Sequence, residues 1–269
     1  MPLGGRELLQ QIEDSLCEAP ALWWLGHSGF VLKYRASIFY IDPYLSDSLG
    51  TSHPRLIESP LRAEEVAHAS LVLCTHAHGD HLDAGTVPAI LAASRRAKLV
   101  IPKSVAEHAH SLGISYHRMV TTDSGLRVEY LDDRIYSVPS AHNNLDWTPL
   151  GGYPYLGYLV RFGNCTIYHA GDGIPYAGLA DRLRPYNVTI ALVPISGRKS
   201  DGAPGNFEIP EAAQLAEEIG AQWLVPTHYG MFAANGGDVN RFIDHLLGQR
   251  PLQRFKVFEI GEKWEVPAE

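Results

Sequence analysis

The sequence predicts an α/β fold in which two β-sheets pack face to face with helices outside, a four-layer αβ/βα sandwich. Two observations predict it. Strand-like stretches and helix–strand alternations each occur twice, in the order β, αβ, β, αβ. No internal repeat or low-complexity linker divides the chain, so residues 1–269 are expected to form a single domain. Elements that segregate in this way bury their apolar faces most simply as stacked layers.

Residues 6–17 place Leu8, Leu9, Ile12 and Leu16 at helical spacing, predicting a short amphipathic helix. From Leu22 to Asp42, the runs ALWWLG, GFVLKY and SIFYIDP are broken by Gly29 and by Arg35-Ala36-Ser37, and read as consecutive antiparallel strands. Pro43, Pro54 and Pro60 mark a loop over 43–61. SLVLCTH at 70–76 is a buried-strand pattern, followed by a helix at 84–94, a strand at 98–101 and a helix at 103–112. Strands are expected at 125–131, 133–138, 155–162 and 164–170. The second alternation has helices at 175–184, 209–219 and 238–247, with strands at 188–194, 221–226 and 254–259. The helix at 209–219 carries Pro210 in its first turn and Gly220 just past its end.

Lys and Arg total 22 against 30 Asp and Glu, a formal charge of −8, which argues against broad nucleic-acid binding because phosphate backbones need a basic surface. A small substrate, anionic included, remains compatible if metals supply local positive charge. Cys17, Cys74 and Cys165 form no CxxC pair and read as free thiols. Glu7, Glu13 and Asp14 interrupt the segment where a signal peptide would lie, and no run reaches the length of a membrane span. The expectation is a cytoplasmic protein without membrane attachment; homo-oligomerisation is left open.

Of thirteen histidines, three stand in Thr75-His76-Ala77-His78-Gly79-Asp80-His81-Leu82-Asp83. Imidazole and carboxylate suit zinc and other divalent first-row metals. In an extended segment His76 and His78 point to one side, as two ligands of one ion would. Asp80 and His81 follow the turn at Gly79 and can reach a second ion. His142, Asp172 and His228 each follow an apolar run, where ligand sites of layered α/β proteins gather. His27 reads as a group supporting the site, as one lining the cleft, or as a packed strand-end histidine, and His169 as structural. His53, His68, His108, His110, His117 and His245 read as ordinary residues.

This set resembles the metallo-β-lactamase superfamily, whose His-x-His-x-Asp-His signature is followed by a His, an Asp and a His. The resemblance implies that fold, with a two-metal site between the sheets. Residue by residue, it implies that His76, His78 and His142 hold one ion, Asp80, His81 and His228 hold the second, and Asp172 bridges. The ions would be zinc or manganese, or iron. Redox di-iron members have a glutamate where this chain has His78, which favours hydrolysis. WLGHSGFVLKY, FYIDPYLSDS, YHAGDG, ISGRKSDGAPGNFEI and PTHYGMFAANGGDVNRFIDHL are further similar to the L-ascorbate-6-phosphate lactonase-like branch. Ser196 and Gly230 depart from its Asn and Asp.

The expected activity is therefore metal-dependent hydrolysis of a small sugar-acid lactone, phosphorylated or not, such as L-ascorbate 6-phosphate. A bridging water would be activated, with Asp80 as catalytic residue that orients it or takes its proton. A metal-dependent phosphodiesterase is the alternative, and a non-catalytic metal-binding module the third reading. Arg198, with Lys199 beside it, is a candidate for holding a phosphate. Asn206 and Tyr229 are candidate hydrogen-bond donors to substrate.

Overall fold

A computed structural model describes residues 3–198, 205–233 and 236–267; Lys199 and Asn235 of the motifs above lie outside the described residues. Helix α1 (Gly5–Asp14) leads into an antiparallel meander of β1 (Ala21–Gly26), β2 (Gly29–Tyr34) and β3 (Ser37–Ile41). Parallel strands β4 (Leu71–Leu73), β5 (Lys98–Pro102) and β6 (Met119–Thr122) extend this sheet, with α2 (Val87–Ala93) and α3 (Ala106–Ser111) in the connections. The second sheet begins with antiparallel β7 (Arg127–Tyr130), β8 (Asp133–Pro139), β9 (Leu156–Phe162) and β10 (Cys165–His169). It continues with parallel β11 (Ile190–Pro194), β12 (Trp223–Thr227) and β13 (Arg254–Phe255); α4 (Leu179–Leu183) connects β10 to β11, α5 (Ile209–Glu218) β11 to β12, and α6 (Val239–Gln249) β12 to β13. Strand β14 (Lys263–Glu265) returns to the first sheet beside β1. The orders are β14-β1-β2-β3-β4-β5-β6 and β13-β12-β11-β10-β9-β8-β7.

Alternation along the strands creates the layers. Leu22, Trp24, Phe30, Leu32, Phe39 and Ile41 face inward against Tyr158, Val160, Ile190 and Leu192 of the other sheet. Their neighbours Trp23, Leu25, Val31 and Tyr40 face outward, onto Leu8, Ile12, Ile90 and Leu91 of the helices. Leu159, Tyr168, Ala191 and Val193 do the same for α4, α5 and α6 through Leu179, Ala212, Ala216 and Phe242. Each fully buried large apolar side chain contributes about 1.5–3 kcal/mol. A one-residue slip would exchange the two faces of a strand, so this burial also fixes register.

Four local expectations are corrected. The helix at 6–17 stops at Asp14, where Ser15 turns extended and buried Lys33 Nζ donates to Ile12 O and Glu13 O at 2.6 Å each; Leu16 consequently leaves the apolar stripe and is 91% exposed. Strand 70–76 shortens to Leu71–Leu73 because the chain turns into the histidine segment, where His81 N and Leu82 N donate to His78 O. The 175–184 helix is confined to Leu179–Leu183, entered through left-handed Gly178. Strand 254–259 shrinks to two residues, while Met119–Thr122 and Lys263–Glu265 pair as strands the pattern did not announce. The 209–219 helix starts with a reciprocal cap between Glu208 and Glu211 and ends before left-handed Gly220. The three cysteines are free. No helix among the described residues is long and apolar enough to cross a membrane.

Candidate metal centre

The carboxyl ends of β3, β4, β8, β10 and β12 meet at one edge of the sandwich, and the segments leaving them carry Asp42, His76 to His81, His142, Asp172 and His228. His27 joins them from the turn between β1 and β2. Two groups of potential donor atoms result, each lying within 4.8 Å of one another: His76, His78, His142 and Asp172; and His27, Asp80, His81 and His228.

Asp172 reaches toward both groups. Its carboxylate is 3.2 Å from His81 Nε2, 3.5 Å from His228 Nε2 and 3.9 Å from His142 Nε2. Left-handed Gly171 lets the chain pass this close to the histidine segment: a Cβ there would sit 2.8 Å from that of Thr75. Ser140 Oγ donates to Asp172 O at 2.6 Å, and Gly173 N donates to Asn206 Oδ1 at 2.8 Å, so the loop is clamped on both sides of the carboxylate.

The rings are aimed by their outer nitrogens. His81 Nδ1 donates to Asp42 at 2.7 Å; Thr75 donates to the same carboxylate from N at 2.8 Å and from Oγ1 at 2.7 Å. The Thr75 hydroxyl in turn stands 3.0 Å from His76 Nδ1, positioned to accept its proton. His142 Nδ1 donates to Gly205 O at 3.2 Å. Each arrangement leaves Nε2 for the centre, the usual support of a metal-binding histidine. His76 Nε2, His81 Nε2 and Asp172 Oδ1 are buried and make no hydrogen bond. Orphaned imidazole and carboxylate atoms converging in this way fit divalent metal ions. Asp83, the last residue of the segment, accepts from Ser46 Oγ, Ser48 Oγ, Gly85 N and Thr86 Oγ1, pinning the 44–49 loop over it.

The electrostatics are mutual. Burial would raise the Asp172 carboxyl, but His228 and His81 outweigh it and hold it well below the usual range. Burial likewise opposes Asp80 ionising, yet His81 and His27 keep it well below its ordinary value. His81 is the counterpart: burial would lower it, and Asp172, Asp42 and Asp80 lift it well above. Burial, then His81, pushes His76 well down, and burial pushes His142 down. Burial and His228 push His27 down to about 4.

Two of the expected substrate contacts are engaged elsewhere. Tyr229 is 5% exposed, its ring stacked on Trp24 at 4.5 Å, and its hydroxyl donates to Phe258 O at 2.9 Å while accepting from Phe258 N at 3.2 Å. It belongs to the core between the sheets. Asn206 is 3% exposed; besides holding Gly173 N, its amide donates to Ser196 Oγ at 3.0 Å, so it shapes the Asp172 loop. Arg198 is ion-paired with Glu211 at the start of α5, with its side chain 41% exposed. Sequence reasoning missed Asp42, whose only signal was a buried-strand end closing on Asp-Pro. It also missed Tyr155, whose ring lies 5.2, 5.9 and 5.1 Å from those of His76, His78 and His142.

Comparison with known proteins agrees with this architecture. The model of the β-lactamase superfamily domain matches residues 38–229. A UPF0173 metal-dependent hydrolase from Thermococcus kodakarensis is 31% identical over 252 residues, covering 90% of this chain and 98% of its own. Another from Hyperthermus butylicus is 29% identical, covering 82% and 90%. Among solved structures, Igni18, a metallo hydrolase from Ignicoccus hospitalis, superposes with a TM-score of 0.73 at 23% identity over 93% of this chain and all of that one. An isothiocyanate hydrolase from Delia radicum gut bacteria gives 0.73 at 17% identity, over 91% and 99%. The chain belongs to the metallo-β-lactamase superfamily.

Proposed function

We propose that this protein is a metal-dependent hydrolase working as one domain over residues 1–269. In this reading His76, His78 and His142 hold one divalent ion, Asp80, His81 and His228 a second, and Asp172 joins them. The observation that carries it is the Asp172 carboxylate facing histidines of both groups while the buried Nε2 atoms of His76 and His81 make no hydrogen bond. The name metal-dependent hydrolase on relatives that align over most of this chain supports the reaction class.

Bound divalent ions, zinc or manganese or iron, supply an activated water and a Lewis acid for the carbonyl. The rest falls to the protein. Asp80, kept ionised by His81 and His27, is the group that orients the water and takes its proton. After the water oxygen bonds to the carbonyl carbon and the ring C–O bond breaks, the same carboxyl returns the proton to the leaving oxygen. Asp42 and Thr75 hold the rings of His81 and His76 in register throughout.

The substrate we propose is a small sugar-acid lactone, with L-ascorbate 6-phosphate as the specific candidate. Support comes from the motifs around His27, Asp172 and His228. Arg198 meets an anionic group of the substrate by exchanging Glu211 for it.

The test is purified protein loaded with Zn²⁺ or Mn²⁺, assayed on a lactone panel that includes L-ascorbate 6-phosphate, beside bis(p-nitrophenyl) phosphate. Metal-dependent lactone turnover, abolished by a chelator, is expected. Faster turnover of the phosphodiester would overturn the lactonase reading and keep the hydrolase; a protein that binds no metal would overturn both.

A further inference from the structure

His27 stands among the donor atoms of the second group, yet its ring nitrogens are engaged differently from those of His76, His81 and His142. Its backbone is left-handed, at φ +54, a conformation that a non-glycine residue holds only when its surroundings impose it. The imposing contacts are visible: His27 O accepts from His228 N and from Trp24 Nε1, both at 3.1 Å. The ring is 1% exposed, 3.9 Å from the ring of His228 and 5.0 Å from that of Phe232. Its Nε2 lies 3.0 Å from Asp80 Oδ2, and its Nδ1 is buried without a partner.

The free Nδ1 decides the role. A ligating imidazole binds through one nitrogen and carries its proton on the other, which then needs an acceptor. His81, His76 and His142 have that acceptor in Asp42, Thr75 and Gly205. His27 has none. Were its Nε2 a ligand, a buried Nδ1–H would be stranded, the expensive kind of unmade hydrogen bond. With the proton on Nε2, only a lone pair is left over, and the carboxylate of Asp80, an acceptor on both oxygens, is satisfied.

We infer that His27 is a positioning residue: it donates from Nε2 to Asp80 Oδ2, and so holds that carboxylate beside His81 for the metal and the water. The inference rests on the metal-centre reading above and adds to it a residue that acts only through Asp80.

The experiment is a double-mutant cycle read as metal affinity, with Zn²⁺ titrated against a chromophoric chelator. His27→Phe keeps a ring against His228 and Phe232 but cannot donate; His27→Gln can donate; each is made alone, and His27→Phe also in an Asp80→Ala background. His27→Phe is expected to weaken one binding step by roughly 10–100-fold, the range seen when an outer partner of a ligand is removed. His27→Gln should recover most of that loss, and in the Asp80→Ala background His27→Phe should have no further effect. Melting in the presence of EDTA should be the same for His27→Gln as for the parent, separating the effect from general destabilisation. Unchanged affinity in His27→Phe would overturn the inference. So would an equal loss in the Asp80→Ala background, or no rescue by Gln, either of which would make His27 a ligand. Should His27→Phe not fold, His27→Leu takes its place in the cycle. A parent protein that binds no Zn²⁺ would instead sink the metal-centre reading itself.

Discussion

The two donor groups are built differently. In the group of Asp80, His81 and His228, geometry is imposed by the backbone and by packing. His27 and His228 both have positive φ, as does Asp42 behind His81, and the His27 and His228 rings are 3.9 Å apart. A left-handed non-glycine residue costs about 1–3 kcal/mol, so three at one site mean that the surrounding fold over-determines it. The group of His76, His78 and His142 is looser. His78 is exposed, and the half-buried ring of Tyr155 lies against all three imidazoles. One group is thus fixed before any ligand arrives, and the other keeps a donor and an aromatic wall at the surface where a substrate can approach. Among the described residues two carboxylates connect them: Asp172 directly, and Asp42 through His81 on one side and Thr75 to His76 on the other.

The largest expected effect comes from erasing the connection. Asp172→Ala should release metal from both groups, lowering affinity beyond the roughly 100-fold that loss of an outer partner can reach. Metal analysis after gel filtration would read it directly, and retention of metal at parental stoichiometry would break the comparison. His78→Ala should separate the groups: the open one empties, the fixed one stays loaded, and activity is lost although bound metal is only halved. Equal loss of both ions would mean that the groups are not independent. Asp42→Asn is a smaller change of the same kind as Asp172→Ala. An amide oxygen cannot serve three donors as the carboxylate does, so both groups should weaken, each by roughly 10–100-fold. If only the second group weakened, the Thr75 link to His76 would carry no energy.

This contrast also explains what the sequence made legible. The candidate donors could be picked out because dense histidines at the ends of apolar runs are hard to place otherwise. Their sorting into a fixed and an open group could not, since it depends on positive φ angles and ring packing that no spacing encodes. Asp42 merely closed the strand run SIFYIDP and gave no sign of a role in the site, because its partners Thr75 and His81 are more than thirty residues away. Asn206 was read as a substrate donor from its motif, whereas its partners Gly173 and Ser196 come from two other loops. The layers were legible wherever strands alternate. Met119–Thr122 and Lys263–Glu265 escaped because short edge strands with few buried residues carry no alternation to read.

Tyr229 shows the same limit most sharply, and yields the smallest expected effect. It follows His228, so adjacency suggests a place in the site. But His228 and Gly230 are both left-handed, at φ +61 and +71, and the chain swings Tyr229 from the metal edge into the core between the sheets. Tyr229→Phe keeps the ring stacked on Trp24 and removes only the hydroxyl that serves Phe258 N and O. Two buried backbone groups then lose their partner, which costs about 1–3 kcal/mol. In a chain of this size that lowers the melting temperature by about 2–12 °C, at roughly 2–4 °C per kcal/mol. Metal affinity and turnover should stay within about twofold, because a 1.4 kcal/mol change is needed for tenfold and the loss falls on folding rather than on the site. The opposite pattern, slower turnover with an unshifted melting temperature, would return the hydroxyl to the substrate. It would also show that the fixed group of ligands is less walled off than its packing implies.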